Sequence, residues 1–168
     1  MNHESMIRAA YKVALRSPDP STQNGAVLIP ETLQPIYGWN HPPKGVRLDS
    51  ERLERPLKYE ILEHAERHVI YECAKFGVAT SRATLCCVWA PCCDCARAIA
   101  MSGVSRLVVH APRMLVRHNR WADKIDLANQ ILVESGVELV EVSGPILGAK
   151  MIRVDGRSWS PETCDFIG

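Results

Sequence analysis

Apolar residues recur at helical spacing near the start of the chain. Met6, Ile7, Ala10, Val13 and Ala14 predict a helix over residues 4–16. Ser17 to Ser21 ends it, because Pro18 and Pro20 cannot continue a helix. Gly25 to Ile29 is a short apolar run, followed by a turn at Pro30 to Thr32, and Pro35 to Trp39 reads as its hairpin partner. A polar, proline-bearing loop then runs from about Asn40 to Pro56, a length often given over to function. Residues 59–76 predict a helix with Ile61, Ala65, Val69, Cys73 and Phe76 on one face. A strand over Ala83 to Trp89, a helix over 92–102, a strand over 105–110, a helix over 119–135 and a strand over 137–142 follow. That alternation predicts right-handed crossovers and parallel strands, to which the first hairpin adds an antiparallel part. The tail reads as a small hairpin around Asp155 and Gly156.

The chain has 168 residues, enough for one domain with a sizeable core. One domain over 1–168 is expected, with its core at about 5–142 and a tail at 143–168. With 20 basic and 19 acidic residues the net charge is +1, which gives no footprint for long nucleic acid but leaves cations for a small phosphorylated ligand. No apolar run of about 18 residues exists, so no membrane span is predicted. The first residues lack the basic start and apolar stretch of a signal peptide. Seven cysteines, five of them in two clusters, fit thiolate metal ligation in a reducing compartment better than a disulfide framework. A cytoplasmic protein is expected.

The chemistry concentrates at His64, Ala65 and Glu66, answered by Pro91, Cys92, Cys93, Asp94 and Cys95. One histidine and two cysteines can occupy three corners of a tetrahedral zinc site, leaving the fourth for water, as at a catalytic zinc. Glu66 is placed to move the protons such a water gives up. Cys-x-x-Cys alone also serves redox sites, zinc ribbons and haem attachment, but those make no use of His64 and Glu66. His-x-Glu with Pro-Cys-x-x-Cys is the described signature of zinc-dependent deaminases. His68 is a rival ligand on spacing, yet the glutamate is misplaced for a protease motif, so a satisfied, partly buried histidine is expected. Cys93 should point away from the ligands and pack. Of Cys86 and Cys87, at least one should face the core, and Cys73 should be inert.

These residues carry a family likeness. Gly25-Ala26-Val27, Gly38-Trp39-Asn40, His64-Ala65-Glu66 and the run from Trp89 to Cys95 resemble the cytidine deaminase-like superfamily, most nearly its deoxycytidylate deaminase branch. Glu54 to Tyr59 leading into Glu63 to Arg67, the run Cys95 to Ile99, and Trp121 point to that branch, and the likeness covers roughly residues 5–142. The resemblance implies a three-layer α/β/α fold with a five-stranded mixed sheet. It implies His64, Cys92 and Cys95 as ligands of one catalytic zinc per chain, and Glu66 as proton shuttle. It implies that the Ala65 backbone faces the pyrimidine, that Asn40 meets the sugar hydroxyl, and that the backbone near Trp89 and Ala90 receives the exocyclic amine. Asn24 stands where an apolar residue is common, as a contact to the base or a cap on the strand. Arg113, Arg117, His118 and Arg120 follow the fourth strand, where α/β sheets bind ligands, and Arg113 and Arg120 are candidate phosphate ligands, with Lys44 and Arg47 as rivals. Trp39 and Trp89 belong to the core or wall the base. Many deoxycytidylate deaminases carry glycine after the asparagine, in a site for regulatory triphosphates. Here His41, Pro42 and Pro43 follow, which predicts little response to dCTP or dTTP.

The expected activity is hydrolytic deamination of a free cytosine nucleotide, dCMP to dUMP with ammonia, or a 5-substituted dCMP, by a homo-oligomer. A deaminase acting on a base in tRNA or single-stranded DNA is the rival, disfavoured by the near-neutral charge. A zinc-stabilised binding module without activity is the rival of another class, disfavoured by Glu66.

Overall fold

The structure, a computed structural model, describes residues 2–31, 34–110 and 122–167. Helix α1 (His3–Ala14) starts where the Asn2 side chain accepts from the Ser5 amide at 2.9 Å, so one orphan N–H of the first turn is satisfied. Strands β1 (Gly25–Ile29) and β2 (Ile36–Trp39) form the expected hairpin. The short helix α2 (Lys58–Ile61), helix α3 (Ala65–Phe76), strand β3 (Thr84–Cys87), helix α4 (Cys93–Met101) and strand β4 (Arg106–His110) follow. Helix α5 (Ala122–Glu134) and strand β5 (Glu138–Val142) complete the alternation. The sheet order is β2-β1-β3-β4-β5, with β1 antiparallel to both neighbours and β3, β4 and β5 parallel.

Both faces of this mixed sheet are covered, which is why its central strands read as continuous apolar runs. Ala26, Leu28, Leu85, Cys87, Leu107 and Val109 face α3, α4 and α5, where Val69, Cys73, Ala96, Ile99, Ala128 and Leu132 meet them. Val27, Cys86, Val88 and Val108 face the other way, onto Met6, Ile7, Ala10, Tyr11 and Ala14 of α1. Cys86 and Cys87 are thus both buried, one in each layer of the α/β/α stack. Two glycines let the helices sit this close. A β-carbon at Gly25 would lie 2.1 Å from the Ala10 carbonyl, and one at Gly38 would lie 2.5 Å from the Ala65 carbonyl.

Two expectations change. Residues 59–76 are not one helix, because the chain breaks between α2 and α3. Glu63 is extended and exchanges backbone bonds with His41, the Glu63 amide donating at 2.9 Å and the His41 amide at 3.2 Å. A backbone pairing with the loop after β2 therefore outweighs continued helix, and α3 begins only after His64. The tail is also no appendage. Strands β6 (Ile152–Val154), β7 (Arg157–Ser160) and β8 (Asp165–Ile167) form an antiparallel sheet, with the expected hairpin between β6 and β7. Its Trp159 is fully buried beside Tyr11 and Val88 in the α1 layer. Trp159 donates from Nε1 to the Tyr11 hydroxyl at 3.2 Å, and that hydroxyl lies 2.6 Å from His110 Nδ1. His110 Nε2 donates to the Gly144 carbonyl at 2.8 Å, which leaves Nδ1 to accept from Tyr11. Among the described residues no helix is long and apolar enough to cross a membrane.

Candidate active site

The break before α3 positions the chemistry. His64 is the residue before the first helical turn, with φ −75° and ψ 150°, and Ala65 and Glu66 lie within that turn. Cys92 holds the same place before α4, and Cys95 lies within its first turn. Two helix starts therefore face each other, and their positive ends favour negative charge between them. His64 Nδ1 is 3.6 Å from Cys92 Sγ and 3.5 Å from Cys95 Sγ, and the two sulfurs are 3.6 Å apart. For zinc held tetrahedrally, with Zn–S of about 2.3 Å and Zn–N of about 2.0–2.1 Å, these separations should be about 3.6–3.8 Å. The triangle fits a zinc ion, and among the described residues it is the one group of three or more such side chains within metal-binding reach.

The electrostatics suit a cation. Cys92 is pushed down to about 3, first by the hydrogen bond from Cys95 and then, against burial, by His64, whereas Cys95 is pushed up by keeping the shared proton. Burial would lower His64, but Cys92 and Glu66 outweigh it and its pKa rises. Arg67, which the motif reading passed over, donates from Nη1 toward Cys95 Sγ at 3.7 Å and from Nε to Glu63 Oε1 at 2.6 Å. It places a fixed positive charge behind the thiolates. Its four-residue spacing from Glu63 was the available sign.

Glu66 is only 2% exposed. Burial raises its carboxyl above the usual range, opposed by His64. The Asn24 amide donates from Nδ2 to Glu66 Oε2 at 3.2 Å, while its Oδ1 accepts from the Gly25 amide at 2.9 Å. Asn24 thus caps the strand, as one reading of it expected, and also touches the Glu66 carboxylate, a partner that neither reading named. Asn40 is buried, with Nδ2 donating to the Thr22 carbonyl at 2.9 Å and Oδ1 accepting from the Asn24 amide at 2.7 Å. Ala65 is fully buried against Gly38. Trp89 and Ala90 are half-buried between β3 and α4, and Trp89 donates from Nε1 to the Gln23 carbonyl at 3.4 Å.

Cys93 turns from the triangle and lies 3.3 Å from the Lys124 carbonyl. His68 is satisfied as expected, its Nδ1 2.9 Å from the Trp39 carbonyl. Burial and His41 lower its pKa. The phosphate candidates Arg113 and Arg120, with Arg117, His118 and Trp121, lie outside the described residues. Lys44 is exposed, and Arg47 pairs with Asp49 at 3.1 Å.

The model of the cytidine and deoxycytidylate deaminase zinc-binding region matches residues 1–111. The chain belongs to the cytidine and deoxycytidylate deaminase family. An uncharacterized deaminase encoded in the luxG 3′ region of Aliivibrio fischeri is 32% identical over 127 residues, spanning 73% of this deaminase and 81% of the relative. The dCMP deaminase of the cyanophage S-TIM5, solved in complex with dCMP and dUMP, shares the fold at a TM-score of 0.65 and 24% identity, over 83% of this chain and 95% of that one. The deaminase/reductase of Thermotoga maritima shares it at a TM-score of 0.59 and 22% identity, over 83% of this chain and 36% of that one.

Proposed function

We propose that this deaminase converts a free cytosine deoxynucleotide, dCMP, into dUMP and ammonia, with His64, Cys92 and Cys95 holding one catalytic zinc and Glu66 carrying the protons. The observation that bears most of this reading is the buried Glu66 carboxylate beside the three convergent ligand atoms. A structural zinc site would need a fourth protein ligand and no such carboxylate. Zinc bound there would supply a water activated at neutral pH. Glu66 takes a proton from that water and gives it to ring N3, which makes C4 electrophilic. Oxygen adds at C4. Glu66 then takes the proton of the new C4 hydroxyl and passes it to the exocyclic amine, and the C4–N bond breaks to release ammonia and leave the C4 carbonyl. Asn24 holds one carboxylate oxygen throughout and fixes the rotamer from which both transfers start.

A free nucleotide is favoured over a polymer by the net charge of +1. A fold shared with a deaminase solved with dCMP and dUMP is consistent with that class of substrate. Asn40 braces Thr22 and Asn24 and keeps an oxygen lone pair for a sugar hydroxyl. Ammonia release from zinc-loaded protein should be compared for dCMP, CMP, 5-methyl-dCMP, dCTP, deoxycytidine and a cytosine-bearing single strand. Turnover of dCMP above the others is expected. Preference for the strand, or no turnover of any nucleotide, would overturn the assignment.

A further inference from the structure

The tail reaches the candidate site from beyond the residues that the family model matches. Strands β6 and β7 are joined by a two-residue turn, Asp155 and Gly156, at φ 50° and 79°, as a tight hairpin turn requires. This hairpin grips the strip from Ser21 to Gln23. The Gln23 amide donates to the Arg153 carbonyl at 2.9 Å, and the Arg153 amide donates back to Gln23 Oε1 at 3.0 Å. The Asp155 amide donates to Thr22 Oγ1 at 3.2 Å, and the Gly156 amide to the Ser21 carbonyl at 2.8 Å. Arg55, from the loop before α2, ties the two together, donating to the Asp155 carboxylate and to Ser21 Oγ.

The same strip holds Asn40. The Thr22 carbonyl accepts from Asn40 Nδ2 at 2.9 Å, and the next amide but one, that of Asn24, donates to Asn40 Oδ1 at 2.7 Å. Thr22 therefore meets the hairpin with its hydroxyl and Asn40 with its carbonyl. We propose that Thr22 and Gln23 are positioning residues, which the tail hairpin holds so that the Asn40 amide stands where the sugar of the nucleotide binds. The inference rests on the reading of Asn40 as the sugar contact. The Asn24 side chain is anchored separately, by the Gly25 amide, so its bond to Glu66 does not depend on the hairpin. A contact to the sugar, remote from C4, is made alike in the ground and transition states. Its loss raises KM and leaves kcat.

The test uses zinc-replete full-length protein and ammonia release from dCMP. Thr22→Val and Gln23→Met each remove one acceptor that faces the hairpin. Each should keep its zinc, raise KM about threefold to tenfold, as loss of one neutral hydrogen bond does, and hold kcat within about twofold. Thr22→Ser keeps the hydroxyl and should keep the KM. In an Asn40→Ala background Thr22→Val should add no further rise, because it acts through Asn40. An unchanged KM, an equal rise in Thr22→Ser, or the full extra rise without Asn40 would overturn the proposal. Hydrogen exchange at the Asn40 amide, which donates to the Asn24 carbonyl at 3.2 Å, reads the brace without turnover. It should quicken in Thr22→Val and not in Thr22→Ser. Equal exchange in the two would also overturn the brace. Quickened exchange in a protein that deaminates no nucleotide would uphold the brace and overturn the proposed function instead.

Discussion

Asn24 and Glu66 are joined by one hydrogen bond, Nδ2 to Oε2 at 3.2 Å, and the Gly25 amide fixes which way round the Asn24 amide lies. A side-chain donor thus meets a buried carboxylate whose proposed task is to change protonation state. A hydrogen bond to a charged group is worth about 1.5–3 kcal/mol, so Asn24→Ala should lower kcat/KM by about tenfold to a hundredfold while keeping the zinc. The bond favours ionised Glu66. Its loss should move the acidic limb of the kcat/KM profile to higher pH. Glu66→Gln should keep zinc and lose turnover by several orders of magnitude. An unshifted acidic limb in the first variant, or near-normal rates in the second, would contradict these roles.

Cys92 and Cys95 converge on His64, whereas Cys93 turns toward the Lys124 carbonyl. Metal binding free energy at such a site is also folding free energy. Cys92→Ser and Cys95→Ser should lose zinc and stability together, and Cys93→Ser should retain the metal. Metal analysis with thermal melts distinguishes the three.

Trp159 fills the layer under α1 and bonds to Tyr11. Trp159→Ala should destabilise the protein by about 3–5 kcal/mol, as truncation of a buried aromatic does. Denaturant unfolding of the zinc-loaded variant measures this. A loss below about 1 kcal/mol would mean that the tail sheet contributes little to the core.

His110 is buried between Tyr11 and the Gly144 carbonyl, and burial lowers its pKa, opposed by that carbonyl. Its neutral form is the folded form. The stability it contributes is full above the unfolded value of about 6.5 and is lost as pH falls through the lower folded value. The Tm should therefore drop between pH 7 and pH 5.5, and less steeply in His110→Gln. Parallel slopes in the two proteins would show that other groups carry the dependence.

The His41 amide is committed to the Glu63 carbonyl at 3.2 Å, and Pro42 and Pro43 have no amide hydrogen to offer. A triphosphate would find no backbone donors at these three positions. Rates with dCMP should follow a hyperbola and respond little to dCTP or dTTP at saturating magnesium. A sigmoidal curve that dCTP straightens and dTTP deepens would show that a regulatory site survives.

The sequence by itself determined the sheet, most helices and the identity of the candidate ligands. Those features rest on local periodicity and on short motifs, where neighbours in the chain decide the outcome. Val27 and Leu28 alternate between layers because a strand alternates its side chains, and that is written in the run itself. The break at Glu63 was not legible, because its cause is a pairing with His41, 22 residues away. Likewise Trp159 looks like an isolated aromatic until Tyr11 and His110 stand beneath it. Only the tertiary structure turned Asn24 toward Glu66, Arg67 toward Cys95 and His41 toward His68. The sequence names the groups that can bind or move a proton, but each distance between them depends on where separate elements cross. Those crossings are set by packing across both faces of the sheet, to which residues from the whole chain contribute.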